Sequence, residues 1–149
     1  MEPIGVVRST RKEPTDDQWS AERAEIEIDA QRFSDEALLG LDAFSHVQVL
    51  YLMHAVEEGD VEMRARHPRN RADWPKVGIF AQRAKRRPNR IGLSCCRLLG
   101  TSGLCLRVEG LDAIDGTPVL DIKPWVREFG PRGETTQPPW MTELMRDYY

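Results

Sequence analysis

Short runs in which apolar and polar residues alternate recur along this 149-residue chain, and they limit the possible folds more than any other feature. AEIEID at 24–29 and LCLRVEGL at 104–111 alternate most clearly, and HVQVLYLM at 46–53 is β-branched and aromatic. Further strand-like runs lie at 4–9, 76–82, 90–100 and 119–125. No βαβ alternation connects these runs. The pattern therefore predicts a mainly β protein, a compact antiparallel β-barrel-like domain with short peripheral helices.

The predicted helices are few and short. SDEALLGL at 34–41 begins with a capping serine and two acids and reaches a glycine, which predicts one or two helical turns. PPWMTELMRDYY at 138–149 predicts a terminal turn or two after a Pro-Pro start. Residues 57–76 are a long polar loop, a type of segment that is often functional. The length favours one domain over 1–149, with a tail at about 126–149.

Charge is distributed unevenly along the chain. The formal net charge is −3, yet residues 64–97 hold eleven Lys or Arg and only one acid, Asp73. The rest of the chain is about as acidic as this third is basic. FAQRAKRRPNRIGLS at 80–94 concentrates five of the cations around Pro88, which stiffens the loop. The segment suits phosphate and predicts a polyanionic partner such as RNA; a solvated basic loop is the alternative.

Several common classes of site are absent from the sequence. It contains no G-x-G-x-x-G, no phosphate-binding Walker loop and no G-x-S-x-G elbow. The three histidines lack the spacing of a zinc pair and no CxxC occurs, so we expect no metal. Three cysteines, two of them adjacent, do not fit a disulfide framework and favour a reducing, cytoplasmic location. The opening residues lack the pattern of a signal peptide, and no apolar run is long enough to span a bilayer.

Three local groups of residues carry chemistry. GLDAIDGTPVLD at 110–121 places Asp112, Asp115 and Asp121 at an Asp-Gly turn, which is either a plain hairpin turn or a site for a cationic, hydroxyl-rich ligand. His54 ends an apolar run and is either structural or a ligand contact. EPTDDQW at 13–19 is either a capped turn or one wall of a cation-binding pocket.

Taken in order, IGVVRS, GLDAFSHVQVLYLMH, HPRN, GIFAQR…RPNRIGLS and GLDAIDGTPVLDIKPW resemble the TsaA-like (TrmO) family from about Ile4 to Trp125. The resemblance implies a β-barrel-like domain that binds S-adenosylmethionine, is usually a homodimer, and methylates N6 of the threonylcarbamoyl-adenosine beside the tRNA anticodon. Arg90 stands where the family usually has a second proline in its RPNP motif.

The resemblance also implies where the ligands bind. The expected cofactor contacts are Pro14, Thr15, Asp16, Asp17, His54, Arg83, Leu93, Asp112, Ala113, Ile114, Asp115, Gly116 and Thr117, of which residues 14–17 are placed by position alone. The expected RNA contacts are Arg69, Arg86, Arg87, Asn89 and Arg90. Asp112, Asp115 and His54 are the candidates for a general base.

We therefore expect a cytoplasmic, S-adenosylmethionine-dependent methyltransferase that acts on tRNA. One alternative is a module that binds S-adenosylmethionine or RNA without transferring a methyl group. Another is a methyltransferase whose acceptor is not tRNA.

Overall fold

The computed structural model describes residues 1–149, and a closed antiparallel barrel is its central feature. In chain order the strands are β1 (Gly5–Ser9), β2 (Arg23–Ile28), β3 (His46–Leu52), β4 (Ala65–Arg66), β5 (Val77–Gly78), β6 (Ile91–Ser102), β7 (Cys105–Glu109) and β8 (Pro118–Pro124). Around the barrel the order is β1, β2, β7, β6, β3, β8 and back to β1, whereas β4 and β5 pair in a separate two-stranded sheet. The predicted mainly β, barrel-like fold is confirmed.

The alternating runs fill the barrel. In β2 every second side chain, Ala24, Ile26 and Ile28, is buried, and the glutamates between them point outward. β3 and β7 contribute their apolar positions to the same core in the same way. Each fully buried aliphatic side chain stabilises the fold by roughly 1.5–3 kcal/mol, so the period-two pattern determines which face of each strand lies inside.

The barrel closes through a short contact between β1 and β8. Gly5 pairs with Val119 and Val6 with Pro118, and no further residues pair between these strands. Gly5 is needed because a Cβ atom there would lie 2.3 Å from the carbonyl oxygen of Glu27 on the neighbouring strand.

Three local predictions need comment. The strand expected at 76–82 is wrong: only Val77–Gly78 is extended, and Ile79–Ala81 forms a 3-10 turn that buries Ile79. The helix expected at 34–41 is two 3-10 turns, Asp35–Leu38 and Leu41–Ala43, separated at Gly40 with φ +81°.

The Asp115–Gly116 turn forms, with φ +77° at Gly116, but it does not make a hairpin. The strands that precede and follow it, β7 and β8, are not neighbours in the barrel. The turn is instead docked on β1, because the Gly116 amide donates to the Val7 carbonyl and the Val7 amide donates to the Thr117 carbonyl.

The helix expected near the end of the chain is present as α1 (Pro139–Met145), the only α-helix of the molecule. It leads into residues 146–149. Their backbone is hydrogen-bonded to the loop between β1 and β2, residues 10–22, which we call the first long loop: the amides of Gln18 and Trp19 donate to the carbonyls of Asp147 and Tyr148 at 2.9 and 2.8 Å. We refer to residues 139–149 as the closing segment. None of the helices is long and apolar enough to cross a membrane.

Candidate functional site

A cavity of about 940 Å³ lies between one side of the barrel, the basic segment, the first long loop and the closing segment. This volume is in the range of pockets that hold cofactor-sized ligands. Its lining combines apolar side chains with both signs of charge: Asp112, Asp16 and Asp60 as acids, and Arg66, Arg69, Arg83, Lys85, Arg86 and Arg87 as cations.

The carboxylate of Asp112 is the centre of a hydroxyl network in this cavity. The Tyr51 hydroxyl lies 2.9 Å from Oδ1, the Ser94 hydroxyl donates to the same oxygen, and the Tyr148 hydroxyl donates to Oδ2 at 2.5 Å. All of these partners are neutral, and no cation pairs with this carboxylate. The site therefore presents a negative charge that its own protein groups orient but do not neutralise.

Strands β3 and β6 hold two of these hydroxyls in place. Tyr51 is 4% exposed and Ser94 is 2% exposed, and both point into the barrel end from neighbouring strands. The Tyr51 ring lies across Gly92, where an added Cβ atom would be 2.2 Å from two ring carbons. Gly92 therefore provides the space that lets the phenol reach Asp112.

Burial keeps the phenols that line the cavity protonated. It raises the pKa of Tyr51 far above its usual range, and the nearby Asp112 charge adds to the effect. The pKa values of Tyr148 and Tyr149 rise for the same two reasons, burial first. The phenols consequently remain hydrogen-bond donors at any physiological pH.

The first long loop forms a second wall. Of the four residues predicted here as cofactor contacts, Pro14, Thr15 and Asp16 line the cavity and Asp17 does not. The Asp17 carboxylate instead accepts hydrogen bonds from both terminal nitrogens of Arg69, at 2.5 and 3.0 Å. Arg69 does line the cavity, but its charge is matched by Asp17, which also raises the pKa of the arginine.

The basic segment, residues 80–94, lies along the rim of the cavity. Arg83 donates to the Leu93 carbonyl at 2.6 Å, and Arg87 donates to the Gln82 carbonyl at 3.1 Å. Arg86 makes a 3.5 Å ion pair with Asp60 in which both side chains are about half exposed. Such exposed pairs contribute little and exchange readily for another anion.

Arg90 does not line the cavity. Its guanidinium donates to the Val56 carbonyl at 2.7 Å. Its φ of +52° is impossible for proline, whose ring holds φ near −65°. The change from RPNP to RPNR therefore alters the backbone of this turn as well as its charge.

The closing segment completes the cavity on the remaining side. Trp140, Met141, Leu144 and Met145 of α1 line it together with Tyr148 and Tyr149. The helix is attached through Glu143, which accepts from the Trp74 indole at 3.0 Å and pairs with Arg71 at 3.3 Å.

Most of the expected site residues meet in this one cavity. Those that line it are Pro14, Thr15, Asp16, His54, Arg69, Arg83, Arg86, Arg87, Asn89, Leu93, Asp112, Ala113, Ile114 and Thr117. Those that do not are Asp17, Arg90, Asp115 and Gly116. The Asp115 carboxylate accepts the Ser9 amide at 3.1 Å and so holds the turn against β1.

Several cavity residues were not selected from the sequence. Tyr51 and Ser94 lie within the family-like segments and read as ordinary strand positions. Tyr148 and Tyr149 lie in the tail, and Arg66 lies in the long polar loop. The only sequence signals there are the adjacent tyrosines and the positive charge.

No three His, Cys, Asp or Glu side chains come together as a metal site.

Comparison with known proteins gives a consistent result. Residues 6–130 match the family described as the tRNA-methyltransferase O N-terminal domain. A protein of Methanothermobacter thermautotrophicus described as a probable S-adenosyl-L-methionine-binding protein is 41% identical over 137 residues, which are 89% of this chain and 94% of that protein. The mouse tRNA (adenine(37)-N6)-methyltransferase is 36% identical over 137 residues, which are 86% of this chain and 31% of the mouse protein.

The fold comparison agrees. The crystal structure of TrmO from P. aeruginosa superposes with a TM-score of 0.74 at 33% identity and covers 93% of this chain and 60% of that one. The chain thus spans nearly all of the archaeal relative but less than two thirds of the mouse and Pseudomonas proteins. The matched residues 6–130 include all of the barrel strands except Gly5 of β1 and end before the closing segment.

Proposed function

Because this chain belongs to the tRNA-methyltransferase O family, we propose that it transfers a methyl group from S-adenosylmethionine to N6 of the threonylcarbamoyl-adenosine beside the tRNA anticodon. One observation carries the proposal. A single cavity combines a carboxylate without a cationic partner, Asp112, with a rim of arginines. The first suits a cationic cofactor and the second suits a polyanionic acceptor.

The residues present fit S-adenosylmethionine. Bound there, it would supply a methyl group on a positively charged sulfur. Asp112 provides the opposite charge, and its hydroxyl partners orient it without neutralising it. Ala113, Ile114 and Leu93 provide apolar surface beside it. An enclosed, oriented negative charge of this kind favours a cation much more than an exposed one does, because little water screens the interaction.

Of the three candidate bases, His54 is the one we assign to proton transfer. Both carboxylate oxygens of Asp112 are already occupied by hydroxyl donors and help to hold the site together, so we do not assign proton transfer to this residue. Asp115 holds the β1 backbone and does not line the cavity. His54 lines the cavity and is exposed, so it can reach an entering nucleobase and accept the N6 proton.

The basic segment would hold the RNA. Arg86, Arg87 and Asn89 all line the cavity, and Arg86 can exchange its weak surface pair with Asp60 for a phosphate. We do not assign an RNA phosphate to Arg69, since both of its terminal nitrogens already donate to the Asp17 carboxylate.

The test is a transfer assay with defined products. Purified protein is incubated with methyl-labelled S-adenosylmethionine and with tRNA that carries unmethylated threonylcarbamoyl-adenosine, and the digested nucleosides are analysed by mass. We expect label on that nucleoside alone. Cofactor binding by calorimetry without any labelled nucleoside would indicate a binding module, and label on a non-tRNA acceptor would indicate a different substrate.

Matched variants separate the two halves of the site. Asp112→Asn should abolish measurable cofactor binding, and His54→Asn should lower the transfer rate while cofactor affinity remains. His46→Asn is the control for the latter, because His46 lies in β3 and does not line the cavity. Arg86→Ala with Arg87→Ala should weaken RNA binding and flatten its salt dependence.

The cellular setting follows from the same reasoning. We propose a cytoplasmic protein that acts as a homodimer on tRNA, with residues 1–149 working as one domain. The attachment of the closing segment to the first long loop and to Trp74 supports the last point. Size-exclusion chromatography with light scattering tests the dimer.

A further inference from the structure

We propose that the guanidinium of Arg66 binds a carboxylate of the ligand in this cavity. The inference rests on the proposed function, since the two ligands proposed there each carry one carboxylate: the amino-acid end of S-adenosylmethionine and the threonyl group of the acceptor nucleoside. Arg66 was not among the residues expected from the sequence.

Arg66 differs from every other cation of the cavity in lacking a protein partner. Arg69 pairs with Asp17, Lys85 with Asp16 and Arg86 with Asp60. Arg83 and Arg87 each donate to a backbone carbonyl. The Nε–H of Arg66, by contrast, is shielded from solvent and has no acceptor. It is the only buried side-chain nitrogen or oxygen in the molecule without a hydrogen-bond partner. An unsatisfied donor of this kind is costly unless something other than the protein satisfies it.

The backbone that carries Arg66 is also held in place beside the cavity. Arg66 pairs with Val77 in the β4–β5 ladder. The amide of Gln82, which is only 5% exposed, donates to the carbonyls of Arg66 and Val77 at 3.2 and 2.9 Å. Three elements thus fix the backbone of Arg66 before any ligand enters, which lowers the entropy lost on binding.

The chemistry of this position favours a carboxylate over an RNA phosphate. A guanidinium binds a planar carboxylate through two parallel N–H donors, and the two terminal nitrogens of Arg66, unlike its enclosed Nε, are accessible for this. Lys85 and Arg86 are exposed and can meet a polynucleotide backbone, whereas Arg66 is half-buried with its Nε enclosed. A small terminal group can enter such a place more easily than a chain of phosphates.

The experiment compares Arg66→Gln with the wild type on pairs of ligands that differ in the carboxylate. The first pair is S-adenosylmethionine and decarboxylated S-adenosylmethionine, which keeps the sulfonium and the amino group and lacks only the carboxylate, measured by calorimetry. The second pair is an anticodon stem-loop RNA with threonylcarbamoyl-adenosine and the same RNA with adenosine. Arg64→Gln is the matched control, because Arg64 is exposed and does not line the cavity.

We expect Arg66→Gln to weaken the carboxylate-bearing member of one pair at least tenfold and to leave its carboxylate-free counterpart within twofold. The pair that responds identifies the source of the carboxylate. Arg66→Lys should recover only part of the loss, since an ammonium lacks the planar fork. The melting temperature of Arg66→Gln should not fall, because the substitution removes an unsatisfied donor; a structural role for Arg66 would lower it.

Equal losses for both members of a pair would overturn the inference, since Arg66 would then be shaping the cavity or contacting phosphate. Unchanged affinities throughout would overturn it as well. The proposed function is judged separately by methyl transfer: a wild-type protein that binds the ligands but transfers nothing contradicts the function and leaves the Arg66 comparison valid. A wild-type protein that binds neither carboxylate-bearing ligand overturns both.

Discussion

Replacing Tyr148 by Phe should loosen the closing segment without disturbing the barrel. The lost interaction is the 2.5 Å hydrogen bond from the Tyr148 hydroxyl to Asp112 Oδ2, a bond to a charged group. Such bonds contribute about 1.5–3 kcal/mol. We expect the lower end, about 1.5 kcal/mol, because Tyr148 is only half-buried and Asp112 keeps its contacts with Tyr51 and Ser94. That free energy corresponds to roughly a tenfold higher population of the detached segment.

Hydrogen exchange measures this opening directly. The amides of Gln18 and Trp19 donate to carbonyls of the closing segment, so they exchange when it detaches. Tyr148→Phe should accelerate their exchange about tenfold and leave the amides of β3 and β6 unchanged. Tyr149→Phe is the control, because the Tyr149 ring contacts Tyr148 edge-on and the hydroxyl plays no part in the Asp112 network. Equal exchange in the wild type and Tyr148→Phe would refute the idea that this bond holds the segment closed.

Two further predictions concern the barrel end. Gly92→Ala should destabilise the protein by about 1–3 kcal/mol and weaken cofactor binding, because the new methyl group displaces the Tyr51 ring. Gly59 has open space around it, so Gly59→Ala should have neither effect, and equal urea midpoints for the two variants would contradict the reasoning. Burial, with a smaller effect of Asp112, raises the pKa of the Cys96 thiol, so the unfolded chain loses this proton first, near pH 8.5. This group should therefore not affect the free energy of unfolding below that pH. Above it, the free energy of unfolding should fall by up to about 1.4 kcal/mol per pH unit. Urea titrations between pH 7 and 10 should show a shallower fall for Cys96→Ala than for the wild type.

Local periodicity was enough to predict the barrel strands. The alternation in 24–29 depends on which neighbouring side chains face the core, so it is visible in the sequence and appears as β2. The segment 76–82 has a similar apolar content, but its backbone is used to bury Ile79 and Gln82 in a 3-10 turn. Segment 76–82 lacks the strict alternation of 24–29, and its apolar content alone does not separate a strand from a turn, because tertiary packing decides the outcome.

The candidate site was predictable where it follows the family-like segments and not elsewhere. Asp112 was expected at the cavity from its motif, whereas its partner Tyr51 lies 61 positions away and Tyr148 lies 36 positions away. Their meeting depends on barrel closure and on the return of the closing segment, and no pattern within either segment encodes it. The bidentate contact between Arg69 and Asp17, which occupies the guanidinium of Arg69, was hidden for the same reason.

The narrow seam between β1 and β8 has a consequence for how the protein is made. β1 is synthesised well before its partner Val119, which follows more than a hundred residues later in the chain. Until then one edge of β1 carries unpaired backbone groups, and an open edge of this kind can pair with another chain. Contacts between distant parts of a chain also form slowly. The barrel should therefore close late, and conditions that slow synthesis or crowd nascent chains should reduce the yield of folded protein more than they reduce its stability once folded.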